Sequence, residues 1–329
     1  MKRRSFLSLI GGAAVSPLTA RAQQTVDKVH HLGALMTWSE GDTEGQAHLA
    51  AFRARLQGSG WTEGRNLLLS VRWTGPDIAR IETVAKDLVA ARPDLIFAMT
   101  TPAVMALTRE TSTIPIIFVA VTDPIGSGLV TNLARPGGSI TGFTNFRFSI
   151  GSRWLQTLKD IAPDARHTGV LFNPATAPFA PLYMRSIAAA PLSFRFGTDT
   201  LPVADATEME RAVRSLAAEK NPALIVMADI FTTANWARII KVAAELRLPA
   251  IYPYRFFATE GGLISYGIDT VDQFSQAAAY ADRILTGEKP GDLPIQPTKF
   301  ELVVNLKTAR AMGVSIPPSL RARANEMIE

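Results

Sequence analysis

The sequence has 329 residues and contains no cysteine. Disulfide bonds, thiolate metal sites, thiol catalysis and attachment of lipid through an N-terminal cysteine are therefore excluded. The sequence also lacks the Gly-x-Ser-x-Gly, Gly-x-Gly-x-x-Gly, phosphate-loop and His-Glu-x-x-His motifs that mark common catalytic and cofactor sites. Among its four histidines, no two lie at metal-ligand spacing on one face of an element. Neither a metal, a cofactor nor a catalytic residue is expected.

Excess basic charge is confined to the N-terminus. The formal net charge is +5, but Lys2, Arg3, Arg4 and Arg21 lie in the first 22 residues, which contain no acid. Without these four, 30 basic residues stand against 29 acidic ones. The remaining chain has no basic footprint for nucleic acid, so no nucleic-acid partner is expected.

The first 22 residues have the three parts of a secretory signal peptide, namely a basic start, an apolar stretch and a small-x-small ending, at 2–4, 6–15 and 20–22. The apolar stretch is too short to span a bilayer permanently. The segment Arg3 to Leu7 also resembles a twin-arginine signal, although Lys2 and Ser8 depart from the usual flanking residues. The alternative is a frayed N-terminal helix of a cytosolic protein. We expect a signal peptide at 1–22 that is cleaved on export to the periplasm.

The rest of the chain predicts two lobes. Its length exceeds that of one compact core. From Val29 onward, short apolar runs alternate with longer amphipathic segments, which is typical of parallel sheets covered by helices. We predict an α/β fold of two lobes, each a mostly parallel sheet with helices on both faces, joined by a hinge of crossovers. Lobe 1 is expected at 27–144 plus 269–296, and lobe 2 at 145–268 plus 297–329.

In such a fold, ligands bind beyond the carboxyl ends of the strands, so residues that follow predicted strands are the binding candidates. Thr100 and Thr101 follow a strand at the start of a helix, where free N–H groups and hydroxyls would bind a carboxylate. Helix capping is the alternative role for these two. Asp123 would pair with an amine, or cap a short helix predicted at 125–133.

The second lobe offers candidates at equivalent positions. Asn173 and Asp229 each follow a predicted strand, and Asn145 follows the last strand before the first crossover. Asp229 would pair with an amine. It lies a few residues before the helix predicted from about Thr233, which is early for a capping residue.

Three aromatic residues complete the candidate site. Trp38 follows the first predicted strand, and Tyr252 and Tyr254 accompany a later one. Their rings could stack on an apolar or planar ligand. Packing at the rim of the lobes is the alternative, since amphipathic rings suit half-buried edges.

Five glycines cluster before the first crossover, at Gly126, Gly128, Gly137, Gly138 and Gly142. Residues without a Cβ adopt unusual backbone angles most easily. The cluster is compatible with a hinge, and equally with tight turns in a rigid connection.

The sequence resembles a known family over nearly its whole length. The segments on which the resemblance rests are DPIGSGLV at 123–130 with LARPGGSITGF at 133–143, GGLISYG at 261–267, ADRIL at 281–285 and LPIQPTKFELVVNLKTA at 293–309. These resemble the signatures of a family of substrate-binding proteins of ABC importers that includes tryptophan-binding members. The resemblance implies a type I periplasmic-binding fold, a two-lobed hinge and no catalysis.

The residues and the resemblance together predict a periplasmic solute-binding component of an ABC importer. It would capture a small organic solute, with an amino-acid-like one favoured, between its lobes. The helix start at Thr101 would hold a carboxylate, and Asp123 or Asp229 would hold an amine. The expected partner is an ABC permease in the inner membrane, and a monomer is expected. The alternatives are a sensor or regulator of the same fold, which would need a DNA-binding segment before Val29, and a periplasmic hydrolase.

Overall fold

The computed structural model describes residues 28–145, 148–191, 197–297 and 299–329. The predicted signal peptide lies outside these ranges. Within them, none of the helices combines the length and apolar character needed to cross a membrane.

The strands and helices alternate along the chain. In order they are β1 (His30–Met36), α1 (Thr43–Gly58), β2 (Leu67–Trp73), α2 (Ile78–Ala90), β3 (Leu95–Met99), α3 (Thr101–Glu110), β4 (Ile116–Val121), β5 (Ile140–Thr144), α4 (Ile150–Ile161), β6 (His167–Phe172), α5 (Ala180–Ala188), β7 (Gly197–Pro202), α6 (Ala206–Ala217), β8 (Pro222–Val226), α7 (Ile230–Ala234), α8 (Trp236–Glu245), β9 (Ala250–Tyr254), α9 (Arg255–Thr259), β10 (Ile264–Ile268), α10 (Thr270–Leu285), β11 (Gln296–Pro297), β12 (Phe300–Asn305), α11 (Leu306–Met312), α12 (Pro318–Arg323) and β13 (Glu326–Ile328).

One sheet has six parallel strands in the order β11-β5-β4-β3-β1-β2. Its strand β3 is buried along its whole length, as an apolar strand covered on both faces should be. Alternate side chains of β3 enter different cores. Phe97 packs with Phe52 of α1 and Phe274 of α10, at ring distances of 4.4 and 5.2 Å. Ile96 joins a separate cluster with residues of α2 and α3. We call this sheet with α1, α2, α3 and α10 lobe 1.

The other sheet has seven strands in the order β13-β12-β10-β9-β8-β6-β7. The pair β10–β12 is antiparallel and the other pairs are parallel. The helices α4 to α9 pack on this sheet or on each other. The indole of Trp154 on α4 donates a hydrogen bond of 2.7 Å to the Tyr266 carbonyl on β10. We call this sheet with its helices lobe 2.

The chain passes between the two sheets three times. It leaves lobe 1 after β5, returns between β10 and α10, and leaves again after β11. Because β11 pairs with β5 through Pro297 and Thr144, Pro297 lies in the sheet of lobe 1.

The helix predicted at 125–133 is wrong, because residues 124–128 form turns and residues 129–133 form bends and irregular backbone. Gly126 and Gly128 weaken helix formation there, and Gly128 adopts a φ of +75°. The sequence pattern also predicts a strand at 193–198. Residues 192–196 lie outside the described part of the chain, and Gly197 and Thr198 belong to β7 (Gly197–Pro202).

Candidate functional site

A cavity lies where the carboxyl ends of the strands of the two lobes face each other. Protein atoms leave about 640 Å³ unfilled in and around it, a volume that includes open solvent. Lobe 1 lines it with Thr37, Trp38, His48, Met99, Thr100, Thr101, Pro102, Ala120, Thr122, Asn145, Thr270 and Phe274. Lobe 2 lines it with Thr176, Phe179, Ala228, Asp229, Ile230, Thr233, Ala234, Tyr254 and Phe256.

Six of the nine residues predicted as ligand-binding line this cavity. They come from the strand ends of both lobes and are Trp38, Thr100, Thr101, Asn145, Asp229 and Tyr254. The structure therefore brings most of the sequence-predicted candidates together around one space. Their contacts with a ligand stay a prediction.

The other three candidates lie outside the cavity lining. The Asp123 carboxylate accepts a hydrogen bond of 2.9 Å from the Gly126 amide and so closes a turn. The Asn173 side chain donates a hydrogen bond of 3.1 Å to the Ala204 carbonyl. Tyr252 is 2% exposed, and its ring stacks on Phe257 inside lobe 2.

The N-terminus of α3 faces the cavity without a side-chain cap. In the described part of the chain, no side chain caps this end of the helix. The Thr101 hydroxyl instead accepts a hydrogen bond of 3.1 Å from the Thr122 amide. Thr100 adopts a φ of +75°, and its buried hydroxyl oxygen has no hydrogen-bond partner among the described residues. Free amides, the helix dipole and two hydroxyls together suit an anion such as a carboxylate.

The backbone beside this helix end is held in place by α10. The Gln273 side chain of α10 accepts a hydrogen bond of 3.1 Å from the Ala120 amide and donates one of 2.9 Å to the Thr144 carbonyl. Ala120 has a φ of +55°, an uncommon conformation that persists only where neighbours enforce it. Gln273 is fully buried. It thereby fixes the ends of β4 and β5 relative to each other at the cavity wall.

Asp229 is the N-cap residue of α7. Its carboxylate accepts a hydrogen bond of 3.1 Å from the Thr232 amide, and the two residues form a capping box. The expectation that this helix begins near Thr233 is wrong, since α7 begins at Ile230. The capping bonds start the helix three residues after β8 ends, in an apolar segment that resembles a continuation of the strand.

Further bonds hold the Asp229 carboxylate at the cavity. It accepts hydrogen bonds of 2.9 Å from the Thr176 hydroxyl and from the backbone N–H of Asn173. Asp229 is 6% exposed, and this burial raises its pKa to about 6, against the opposing effect of its hydrogen bonds. A buried carboxylate with a raised pKa is ready to gain stabilisation from a cationic group.

Asn145 connects the first crossover with lobe 2. Its amide Nδ2 donates a hydrogen bond of 2.9 Å to the Tyr254 hydroxyl. Its Oδ1 is buried and has no hydrogen-bond partner within the described ranges. That oxygen is available to a donor in the cavity.

The remaining wall is largely aromatic. Trp38 of lobe 1 packs edge-on against Phe256 of lobe 2, with ring centroids 5.6 Å apart. Phe274 stacks on His48 at 5.0 Å. Sequence reasoning missed three of these, namely His48, Phe256 and Phe274. The position of Phe256 just after β9 is a usable signal, whereas His48 and Phe274 lie on helices whose orientation only the packing decides.

The charges around the cavity are unbalanced. Among the described lining residues, Asp229 is the acid and none is lysine or arginine. His48 is 2% exposed, and burial lowers its pKa to about 4, which leaves it neutral near pH 7. The cavity therefore suits a ligand that brings its own positive charge to Asp229 and a negative group to the N-terminus of α3.

Comparison with known proteins connects this architecture to a transport family. The family described as ABC transporter substrate binding proteins matches the chain over residues 43–328. A tyrosine-binding protein of Clostridioides difficile (strain R20291) is 28% identical over 264 residues, which cover 80% of this chain and 75% of that protein.

Solved structures show the same fold. A conserved domain protein of Vibrio cholerae is 26% identical and superposes with a TM-score of 0.83, covering 91% of this chain and 100% of its own. An ABC domain of Streptococcus pneumoniae in complex with L-Trp is 24% identical, with a TM-score of 0.81 over 91% of this chain and 99% of its own. The predicted α/β fold of type I periplasmic-binding proteins is thereby confirmed.

Proposed function

The chain belongs to the family of ABC transporter substrate-binding proteins, and we propose that it captures an amino acid with an aromatic side chain for an ABC importer. The observation that carries this proposal is the pairing of one buried carboxylate, Asp229, with an uncapped helix N-terminus at α3 around one cavity. A zwitterion supplies both complementary charges. The amine would meet Asp229, and the carboxylate would meet Thr100, Thr101 and the first amides of α3.

The aromatic wall supports a large planar side chain. Trp38, Phe256 and Phe274 line the same cavity as the two charge-binding groups. Aromatic rings pack favourably on one another in offset or edge-on arrangements. The similar proteins point the same way, since one is a tyrosine-binding protein and another is a complex with L-Trp.

Capture would involve closure of the two lobes. Trp38 of lobe 1 contacts Phe256 of lobe 2, and Asn145 binds Tyr254 across the first crossover. Contacts that form only when the lobes approach would favour the closed form, and a ligand between the lobes would favour it further. We propose the divisions between the lobes near residues 144, 268 and 297.

The biological setting follows from the same proposal. The protein would act in the periplasm after cleavage of a signal peptide at 1–22, as a monomer, and would deliver its solute to an ABC permease in the inner membrane.

Isothermal titration calorimetry with the twenty standard amino acids tests this function. We expect micromolar or tighter binding of at least one aromatic amino acid and no detectable binding of aspartate or lysine, whose extra charges have no partner in the cavity. The tryptophan fluorescence of the protein should change on binding, because Trp38 lines the cavity. Absence of heat with every amino acid, for protein purified under denaturing conditions and refolded so that no solute is retained, would contradict the proposal.

Tyr254→Phe is expected to weaken binding of the preferred amino acid by about three- to tenfold. The substitution removes the hydroxyl that accepts from Asn145, and a neutral hydrogen bond contributes about 0.5–1.5 kcal/mol. Calorimetry on the purified variant measures the change. Tyr252→Phe is the matched control, because Tyr252 lies on the same strand but outside the cavity lining. An equal loss in both variants would show that the Asn145–Tyr254 bond has no special role.

A further inference from the structure

Two polar atoms in the aromatic wall have no hydrogen-bond partner in the described part of the chain. They are Nε1 of Trp38 and Nδ1 of His48, and both are buried without a hydrogen bond to any described residue. Trp38 is 3% exposed and His48 2%. Their ring centroids are 5.9 Å apart, and both residues line the cavity. Buried polar groups are normally paired, so these two atoms indicate a ligand group that is polar where it meets Trp38 and His48.

The orientation of His48 is fixed by its neighbours. Its Nε2 forms a hydrogen bond of 2.8 Å with the Thr270 hydroxyl, and its ring stacks on Phe274 with an interplanar angle of 19°. Rotation of the ring to pair Nδ1 elsewhere would break the bond to Thr270. With its ring in this orientation, His48 offers Nδ1 to no other described residue.

The chemistry of the two atoms restricts the partner. Trp38 Nε1–H can only donate, so the ligand atom must accept. His48 is neutral near pH 7 because burial lowers its pKa to about 4. Its Nδ1 then donates if Thr270 donates to Nε2, and accepts if Nε2 donates to Thr270. A hydroxyl both donates and accepts, so it fits Trp38 together with either form of His48. An unsubstituted ring would leave both atoms unpaired.

We propose that Trp38 and His48 form a subsite that selects an aromatic amino acid carrying a ring hydroxyl over the same amino acid without it. This inference rests on the proposed function, because the amine and carboxylate must first be held by Asp229 and α3. It adds a specificity that those two groups cannot supply, since they bind every amino acid alike. Sites that bind a substrate hydroxyl discriminate strongly against analogues that lack it.

Calorimetry with L-tyrosine and L-phenylalanine tests the subsite. The wild-type protein is expected to bind L-tyrosine at least about tenfold more tightly. Trp38→Phe and His48→Phe should each reduce that ratio, mainly by weakening L-tyrosine binding, since both retain a ring but lose the polar atom. Tyr254→Phe is the matched control. Its hydroxyl already pairs with Asn145, so it should weaken both ligands alike and preserve the ratio.

The outcomes separate the subsite from the proposed function. Equal affinity of the wild-type protein for the two ligands would overturn the subsite and leave amino-acid capture intact. Failure of both ligands and of all other amino acids to bind would overturn both. A ratio that survives in both ring variants, with folding verified by circular dichroism, would also overturn the subsite. If His48→Phe does not fold because the Thr270 hydroxyl loses its partner, Trp38→Phe decides alone.

Discussion

Asp229→Asn is expected to weaken binding of the preferred amino acid by at least about 30-fold. The substitution leaves the ligand amine buried without a countercharge, and truncating one side of a buried charged pair costs about 2–5 kcal/mol, where each 1.4 kcal/mol is about tenfold in affinity. Asparagine has nearly the same shape. However, its NH₂ group must face one of the donors that now bind the carboxylate, from Thr176, Asn173 and the start of α7. A lower thermal stability of the variant is therefore also expected.

Two controls separate lost charge from altered shape. Asp199→Asn changes a carboxylate of lobe 2 that pairs with His167 on the surface, and it should leave affinity unchanged. A ligand analogue without the amine should bind the wild-type protein and Asp229→Asn with similar affinity. An unchanged affinity of Asp229→Asn for the amino acid would show that the amine lies elsewhere in the cavity.

The same residue should make binding depend on pH. Burial raises the pKa of Asp229 to about 6 in the protein without ligand, and a bound amine should lower it. Affinity is then constant above about pH 7 and falls by up to about tenfold per unit below pH 6. For stability the sign is opposite. A raised pKa favours the protonated folded form, so the contribution of Asp229 is present at acid pH and is lost as pH rises through 6. Asp229→Asn should abolish both effects.

The residues of the cavity that were predicted from sequence share one property. Thr100, Thr101 and Asp229 each follow a buried parallel strand, and the carboxyl ends of such strands meet at one edge of a sheet. Position after a strand is readable from the alternation of apolar and amphipathic segments. The fold class was predictable for the same reason.

Candidates that lie outside the cavity lining do so for local physical reasons. Tyr252 and Tyr254 both lie on strand β9. Tyr252 lies two residues, about 7 Å, before the carboxyl end of the strand, and its ring packs against Phe257 of α9 instead of entering the cavity. Asp123 closes a turn because Gly126 and Gly128 prevent the predicted helix. Whether such a residue reaches the cavity depends on its distance from the carboxyl end of the strand and on local backbone angles. The pattern of apolar residues does not encode either.

Residues on helices were missed for a different reason. His48 and Phe274 reach the cavity because α1 packs against α10 on one face of the lobe 1 sheet. Helix α10 joins that sheet only after the chain has completed most of lobe 2. A contact between segments more than 200 residues apart, such as His48 to Thr270, follows from the tertiary fold and leaves no local signal.

Gly142→Ala is expected to destabilise the protein by more than about 4 kcal/mol, the range reserved for severe steric or packing defects. Gly142 pairs with Phe118 in the ladder between β4 and β5. A Cβ at position 142 would lie 2.1 Å from the Phe118 carbonyl oxygen and 2.7 Å from its nitrogen. Both are backbone atoms, so no side-chain rotation relieves the contact. The strands would have to separate beside the first crossover, and Asn145 would move with β5.

Gly128→Ala distinguishes this clash from ordinary backbone strain. Gly128 also has a positive φ, +75°, but a Cβ there would meet no atom within 4 Å, so the expected loss is about 1–2 kcal/mol. Urea denaturation followed by circular dichroism gives the free energy of unfolding of both variants. Equal losses would mean that β5 can move away from β4 at little cost. A much larger loss in Gly142→Ala would assign Gly142 to the close approach of two strands, and would favour the tight-connection interpretation of this glycine over a role as a hinge.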